Sequence, residues 1–199
     1  MTTIVVDPES IKKYGDLAVE QFTKINQRLQ NLVGSVTTVH YYGTNAYDFK
    51  MKSGDLAVQF AEDLHKDMKK IAEAVRTATS EIAKSLGGKP INLPAPTGAA
   101  VKRPAVSKGD GTEEVKTEAL QDLIPEVKKW FVAIDNLLDA HLKHLQGAKW
   151  QGNSREAAVR AVTGFTRSAK DTSDKAQSSI TKYIQAQIDA STAADKTLS

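Results

Sequence analysis

Cysteine is absent from the 199 residues, which excludes disulfide frameworks, thiolate nucleophiles, zinc knuckles and iron–sulfur sites together. It assigns no compartment. Aromatic side chains are scarce, at 6%. No stretch approaches the roughly 18 consecutive apolar residues of a membrane span. Neither sign of charge dominates: 27 Lys and Arg face 24 Asp and Glu, a net +3. A chain so balanced is not built around a polyanion, and no nucleic-acid partner is expected. The opening Met-Thr-Thr-Ile-Val-Val-Asp-Pro has neither a basic n-region nor an apolar h-region. A conventional signal peptide is therefore not expected, and any export would take another route.

Proline and glycine are sparse except in one place. Four of the six prolines (Pro90, Pro94, Pro96, Pro104) and five of the twelve glycines fall within residues 87–111. Long apolar side chains shrink there to Ile91, Leu93 and two valines. Such a composition favours turns and polyproline conformations and offsets little of its ordering entropy. The segment reads as a mobile linker, open to proteases near Lys102-Arg103. Its four cations (Lys89, Lys102, Arg103, Lys108) against Asp110 account for the whole surplus of charge.

Both flanks carry helical periodicity. Ile11, Tyr14, Ala18, Phe22, Ile25, Leu29, Val33 and Val36 recur at spacings of three and four, one stripe of a helix and not the alternation of a strand. Asp7-Pro8-Glu9 supplies an N-cap, a proline tolerated at N1 and an acid in the first turn. A second helix is predicted from Thr44 or Asn45 through Phe49, Leu56, Phe60, Leu64, Ile71, Val75, Ala78 and Ile82, ending at Gly87-Gly88. A third follows Leu120, Leu123, Val127, Phe131, Ile134, Leu138, Leu142 and Leu145, with Pro125 either kinking it or marking its first turn. A fourth starts at Asn153 and follows Ala158, Val162, Phe165, Ala169, Ala176, Ile180 and Ile184. Residues beyond Ala190 read as a disordered tail.

The two flanks are copies of one unit. An offset of 109 residues pairs Ile11 with Leu120 and continues without a gap through eight pairs to Val36 with Leu145. The same offset sets Tyr41 against Trp150 and Gly43 against Gly152. Two helices of like period match in some register by chance. An aromatic-x-glycine turn falling in that register marks a true tandem repeat. The chain thus divides into a first helical hairpin (1–86), a linker (87–111) and a second hairpin with a short tail (112–199).

A long amphipathic helix, a turn carrying Trp150-Gln151-Gly152 and a second long helix resemble the WxG (Esx-like) small proteins of type VII secretion. The first half has Tyr41-Tyr42-Gly43 at the matching place, Tyr standing for Trp, and the likeness covers all but the linker and tail. The glycine allows the chain to reverse, and the aromatic ring closes the open end of the apolar seam. The resemblance implies an all-α fold, two hairpins packed antiparallel as an intramolecular four-helix bundle. Phe22, Ile25, Leu29, Phe60, Phe131, Ile134, Leu138 and Phe165 would form the core between them. The protein would be a monomer that supplies its own pairing partner; 25 residues reach roughly 80 Å when extended, enough to traverse such a bundle.

The resemblance further implies a non-enzymatic role as secreted substrate or chaperone-like partner, recognised through helical surfaces by the secretion ATPase or by a co-secreted helical protein. The protein would be cytoplasmic before export and then secreted or held at the cell surface. Exported members carry a C-terminal Tyr, three residues, then Asp or Glu; here Tyr183 is followed by Gln187, the candidate signal in altered form. A membrane-active helical bundle and a structural scaffold unrelated to secretion are the alternatives, and the first lacks a long uncharged segment to insert in lipid.

No catalytic, cofactor or metal site is expected, and no small-molecule substrate. His141 and His144 share a helix face at i, i+3, a spacing that can present metal ligands, but Asp139 and Glu126 do not complete a site. The pair reads as exposed and solvated. Gly87-Gly88-Lys89-Pro90 ends a helix and so is no phosphate loop.

Overall fold

In the computed structural model, residues 3–89, 91–94 and 100–197 are described. Among the described residues the regular elements are four helices and four two-residue strands: β1 (Val5–Val6), α1 (Pro8–Thr38), β2 (Tyr41–Tyr42), α2 (Thr44–Ser85), β3 (Glu114–Val115), α3 (Thr117–Gln146), β4 (Trp150–Gln151) and α4 (Asn153–Thr197). The caps follow from the sequence. The Asp7 carboxylate accepts the Glu9 and Ser10 amides at 3.1 and 3.2 Å, quenching orphan donors of the first turn. At the far end of α2, Gly87 adopts φ +80°. The Gly88 N–H then returns to the Ala83 carbonyl at 2.6 Å and the Gly87 N–H to Lys84 at 3.0 Å, the glycine-terminated helix end that only a residue free of Cβ strain reaches cheaply.

Two corrections concern element ends. Pro125 lies inside α3, eight residues beyond its start, so it is not the first turn. The predicted tail past Ala190 is helical: α4 continues to Thr197.

The compact units are not the sequence repeats. One comprises Met1–Ile25, Glu62–Ala99 and Asp135–Asp171, the other Asn26–Ala61, Ala100–Ile134 and Thr172–Ser199, and each includes a length of all four helices. In the first unit Ile11, Tyr14, Ala18, Val75, Ala83, Leu145, Trp150 and Val162 share a core with Ile91 and Leu93. The rings of Phe22 and Phe165 stand 6.3 Å apart there, and Ile25 and Leu138 are fully buried. In the second unit Phe60 and Phe131 meet at 6.4 Å, with Leu29 and Ile134 fully buried. The α2 seam differs in detail from the predicted stripe. Leu56, Ile71, Ala78 and Ile82 are half-buried, and Ser53, Ala57, Thr79 and Ala83 take the innermost places.

The strands repeat the 109-residue relation. β1 pairs antiparallel with β4, Val5 opposite Gln151 and Val6 opposite Trp150. β2 pairs with β3, Tyr42 opposite Glu114 and Tyr41 opposite Val115. Moving Val5 and Val6 forward by 109 and Trp150 and Gln151 back by 109 converts one register into the other. The flanking hydrogen bonds obey it too: Asp7 N–H to Lys149 C=O at 3.0 Å, and Lys116 N–H to His40 C=O at 3.1 Å.

Residues 87–111 depart from the expected free linker. Ile91, Leu93 and Val101 are buried, and Pro104 is buried as well. The Ser80 hydroxyl bonds both the carbonyl and the amide of Ile91, at 3.1 and 3.2 Å. Gly15 makes room for this segment, since a Cβ there would lie 2.8 Å from Leu93 and 3.0 Å from Pro94. Pro90, Pro96 and the rest of residues 95–99, also read as linker, lie outside the described residues. We call residues 100–113 the strap, because they are held along the helices.

Candidate functional site

Both aromatic turns are built alike. Gly43 and Gly152 sit at φ +111° and +114°, a region open to glycine and strained for any L side chain. Trp150 is fully buried and its indole N–H donates to the Ser154 hydroxyl at 3.1 Å. Tyr41 is buried, with its ring 6.1 Å from Phe49. Its hydroxyl has a different partner: it donates to the Gln187 side-chain carbonyl at 2.6 Å. Burial, helped by the Glu113 carboxylate, raises the Tyr41 pKa, so the phenol stays a donor. Beside it the buried Lys50 ammonium donates to the Val39 carbonyl at 3.1 Å, and burial lowers its pKa.

Of the candidate export pair, Gln187 is thus tied to the first turn, while Tyr183, four residues earlier on α4, is 38% exposed. The structure brings Tyr41 and Gln187 together and leaves Tyr183 at the surface.

Among the described residues the most buried ionisable side chain departs from the expectation of a solvated histidine pair. His141 is 0% exposed, not solvated. Its Nε2 lies 3.0 Å from the Tyr14 hydroxyl, and Phe22 and Phe165 set their rings edge-on to it at 5.7 and 6.2 Å. Its Nδ1 has no hydrogen-bond partner. Desolvation, with a smaller contribution from nearby His144, lowers its pKa to about 4. The imidazole is therefore neutral, a polar member of an aromatic core. Among the described residues no group of His, Asp and Glu could hold a metal ion.

Two surface grooves also follow the repeat. One, about 610 Å³, is lined by Gly34, Ser35, His40, Asp122, Glu126 and Trp130, among others. The other, about 740 Å³, has Lys143, His144, Lys149, Lys13 and Leu17 at positions equivalent to the first five. Asp122 gives way to Lys13 and Glu126 to Leu17, and Gly34 to Lys143, while Asp7 and Glu9 keep acids in the second groove.

No protein-family model matches the chain, and no curated protein or solved structure matches it either.

Proposed function

We propose that this chain is a fused pair of Esx-like helical hairpins of a type VII secretion system, non-enzymatic, acting as an exported substrate or as a chaperone-like partner through its helical surfaces. In this reading the hairpins α1–α2 and α3–α4 pack antiparallel as an intramolecular four-helix bundle, and the molecule is a monomer. The observation that carries it is the two-fold repetition of strand, glycine turn and helix start at a single offset of 109 residues. Each strand that precedes a hairpin pairs with the turn of the other hairpin, as expected of two like hairpins lying head to tail. The phenylalanine pairs, Phe22 of α1 with Phe165 of α4 and Phe60 of α2 with Phe131 of α3, join first-half to second-half helices. No described helix is long and apolar enough to cross a membrane, which leaves the membrane-active alternative without a spanning segment.

Export is tested by following the protein in the culture medium of its host with the system's membrane ATPase intact or deleted. The reading expects it in the medium only with the ATPase intact. Equal release from both strains would overturn it. Tyr183→Ala in a stably folded protein separates two versions of the mechanism: lost export places the signal on α4, and normal export places it on a separate partner.

A further inference from the structure

The start of α2 buries a charge that the equivalent helix does not carry. Lys50 is 4% exposed. Its counterpart 109 residues on is Val159, a partly buried apolar residue, so the fold has no need of an amine at this place. The Lys50 ammonium donates to the Val39 carbonyl at 3.1 Å and lies 5.1 Å from the centre of the Tyr42 ring. Among the described residues no carboxylate contributes to its titration. An ammonium carries three N–H donors, and one carbonyl and one ring face do not use them all. A buried cation is costly unless a counter-charge and hydrogen bonds offset its lost hydration.

The space beside this ammonium is roofed by the strap. A cavity of about 260 Å³ is lined by Lys50, Tyr42 and Tyr47 from the turn and α2, and by Val106, Ser107 and Gly109 from the strap, among others. Lys108 sets a second cation 5.4 Å over the Tyr47 ring. The acid nearest the turn is already engaged: the Glu113 carboxylate lies over Gly43 and accepts the Thr44 amide at 2.6 Å. The roof is fastened upstream, where the Lys102 amide donates to the Gln30 side-chain carbonyl at 2.8 Å and Arg103 pairs with Asp55 at 3.2 Å. The Pro104 ring occupies the space where Gly54 would carry a Cβ. The other repeat has Glu156 in place of Tyr47 as well as Val159 in place of Lys50, so it offers no such pocket of positive charge.

We infer that the cavity under the strap is a binding site for a small oxyanion, a carboxylate or phosphate group, held on the Lys50 ammonium. The ligand supplies the counter-charge that the chain withholds and accepts an N–H of Lys50 in a charge-assisted hydrogen bond. Lys108 adds long-range attraction at the rim, and Ser107 brings a hydroxyl to the same wall. The aromatic rings of Tyr42 and Tyr47 keep the site poor in water, which strengthens the ion contact. The inference does not depend on the export reading.

The probes are inorganic phosphate and acetate, each titrated against chloride at constant ionic strength and neutral pH into the isotope-labelled full chain and followed by amide NMR shifts. The site predicts saturable shifts of the Tyr42, Gly43, Tyr47 and Ser107 amides, and the anion that produces them at lower concentration identifies the preferred head group. Lys50→Val, the residue the other repeat carries, should weaken binding by about tenfold, whereas Lys52→Gln at an exposed position of α2 should change it by less than about twofold. A readout on the unmutated chain keeps the test decisive where Lys50→Val folds poorly. Binding to the ammonium form must favour that form, so the Lys50 ε-amine, observed by side-chain NMR, should titrate at higher pH when the anion is saturating. No saturable shift with either anion, equal affinity in Lys50→Val, or an unmoved Lys50 titration would overturn the inference.

Discussion

His141 illustrates how one side chain sets the chemistry of its surroundings. Neutral, it fills a seam position and shares a hydrogen bond with Tyr14; protonated, it would place a charge among Phe22, Phe165 and the Tyr14 hydroxyl with no carboxylate contributing to its titration. Its pKa in the folded chain, about 4, lies below the usual value near 6.5, so the unfolded state binds the proton first as pH falls. Stability is therefore lost as pH drops below about 6.5, by about 2 kcal/mol between pH 7 and 4.5, and the loss levels off below about pH 4. Urea melts of the wild type and of His141→Leu at the two pH values check this: the variant should be less sensitive to acid, and equal sensitivity would remove His141 as the cause. Leu32, the residue 109 positions earlier, is 1% exposed, so the repeat itself marked position 141 as a core place. The stripe taken through Leu142 obscured this, because Leu142 is apolar and half-buried and histidine carries no hydrophobic signal. The phenylalanines were easier to read. Phe22 and Phe131, equivalent in the repeat, are 3% and 1% exposed, and truncation of either to Ala should cost about 3–5 kcal/mol. Chemical denaturation that finds less than about 1 kcal/mol at both would place them outside the seam.

Among the elements, the segment 87–111, which runs into the strap, is the least legible in sequence. Composition counts apolar side chains, and residues 87–111 have few. The structure shows that Ile91, Leu93, Val101 and Pro104 suffice to seat the segment once Gly15 and Gly54 clear space on the helices. A mid-helix glycine read alone is only a cost of about 1 kcal/mol relative to alanine; its purpose emerges when the Pro104 ring is placed beside it. Gly54→Ala should therefore gain helix propensity yet release the strap, speeding tryptic cleavage after Lys102 by about tenfold, since cleavage tracks the open population. An unchanged cleavage rate would show that Pro104 is not held there. The end of α4 is similar. Its polar run of Ser, Thr, Asp and Lys suggests disorder, but the Tyr41–Gln187 hydrogen bond and buried Ile188 fix the helix that carries it. Gln187→Ala strips the acceptor from a buried phenol and should destabilise by about 1–2 kcal/mol, whereas Tyr183→Ala at the surface should cost less than about 0.5 kcal/mol. Equal costs in thermal or urea melts would contradict this assignment.

At the scale of the whole chain, the repeat was legible because it rests on many residues at once: eight apolar pairs and an aromatic-x-glycine turn in one register. The two-residue strands were not, since Val5–Val6 and Glu114–Val115 are too short for any alternation to register. They also pair residues of the first half with residues of the second, and so they test the proposal of a fused pair of hairpins most directly. Val5 and Gln151, and their counterparts Glu114 and Tyr42, face each other as exposed residues on opposed strands. Directly opposed residues of an antiparallel pair lie at about 4.5–5.5 Å between Cα atoms, within disulfide reach. The chain has no cysteine of its own, so Val5→Cys with Gln151→Cys, and Tyr42→Cys with Glu114→Cys, can be oxidised without competing thiols. The decisive measurement is the intramolecular cross-link yield of the two variants under mild oxidation, read by mass spectrometry. Two like hairpins exchanging strands predict efficient monomeric cross-linking in both; cross-linking in only one, or only between molecules, would contradict the repeated architecture.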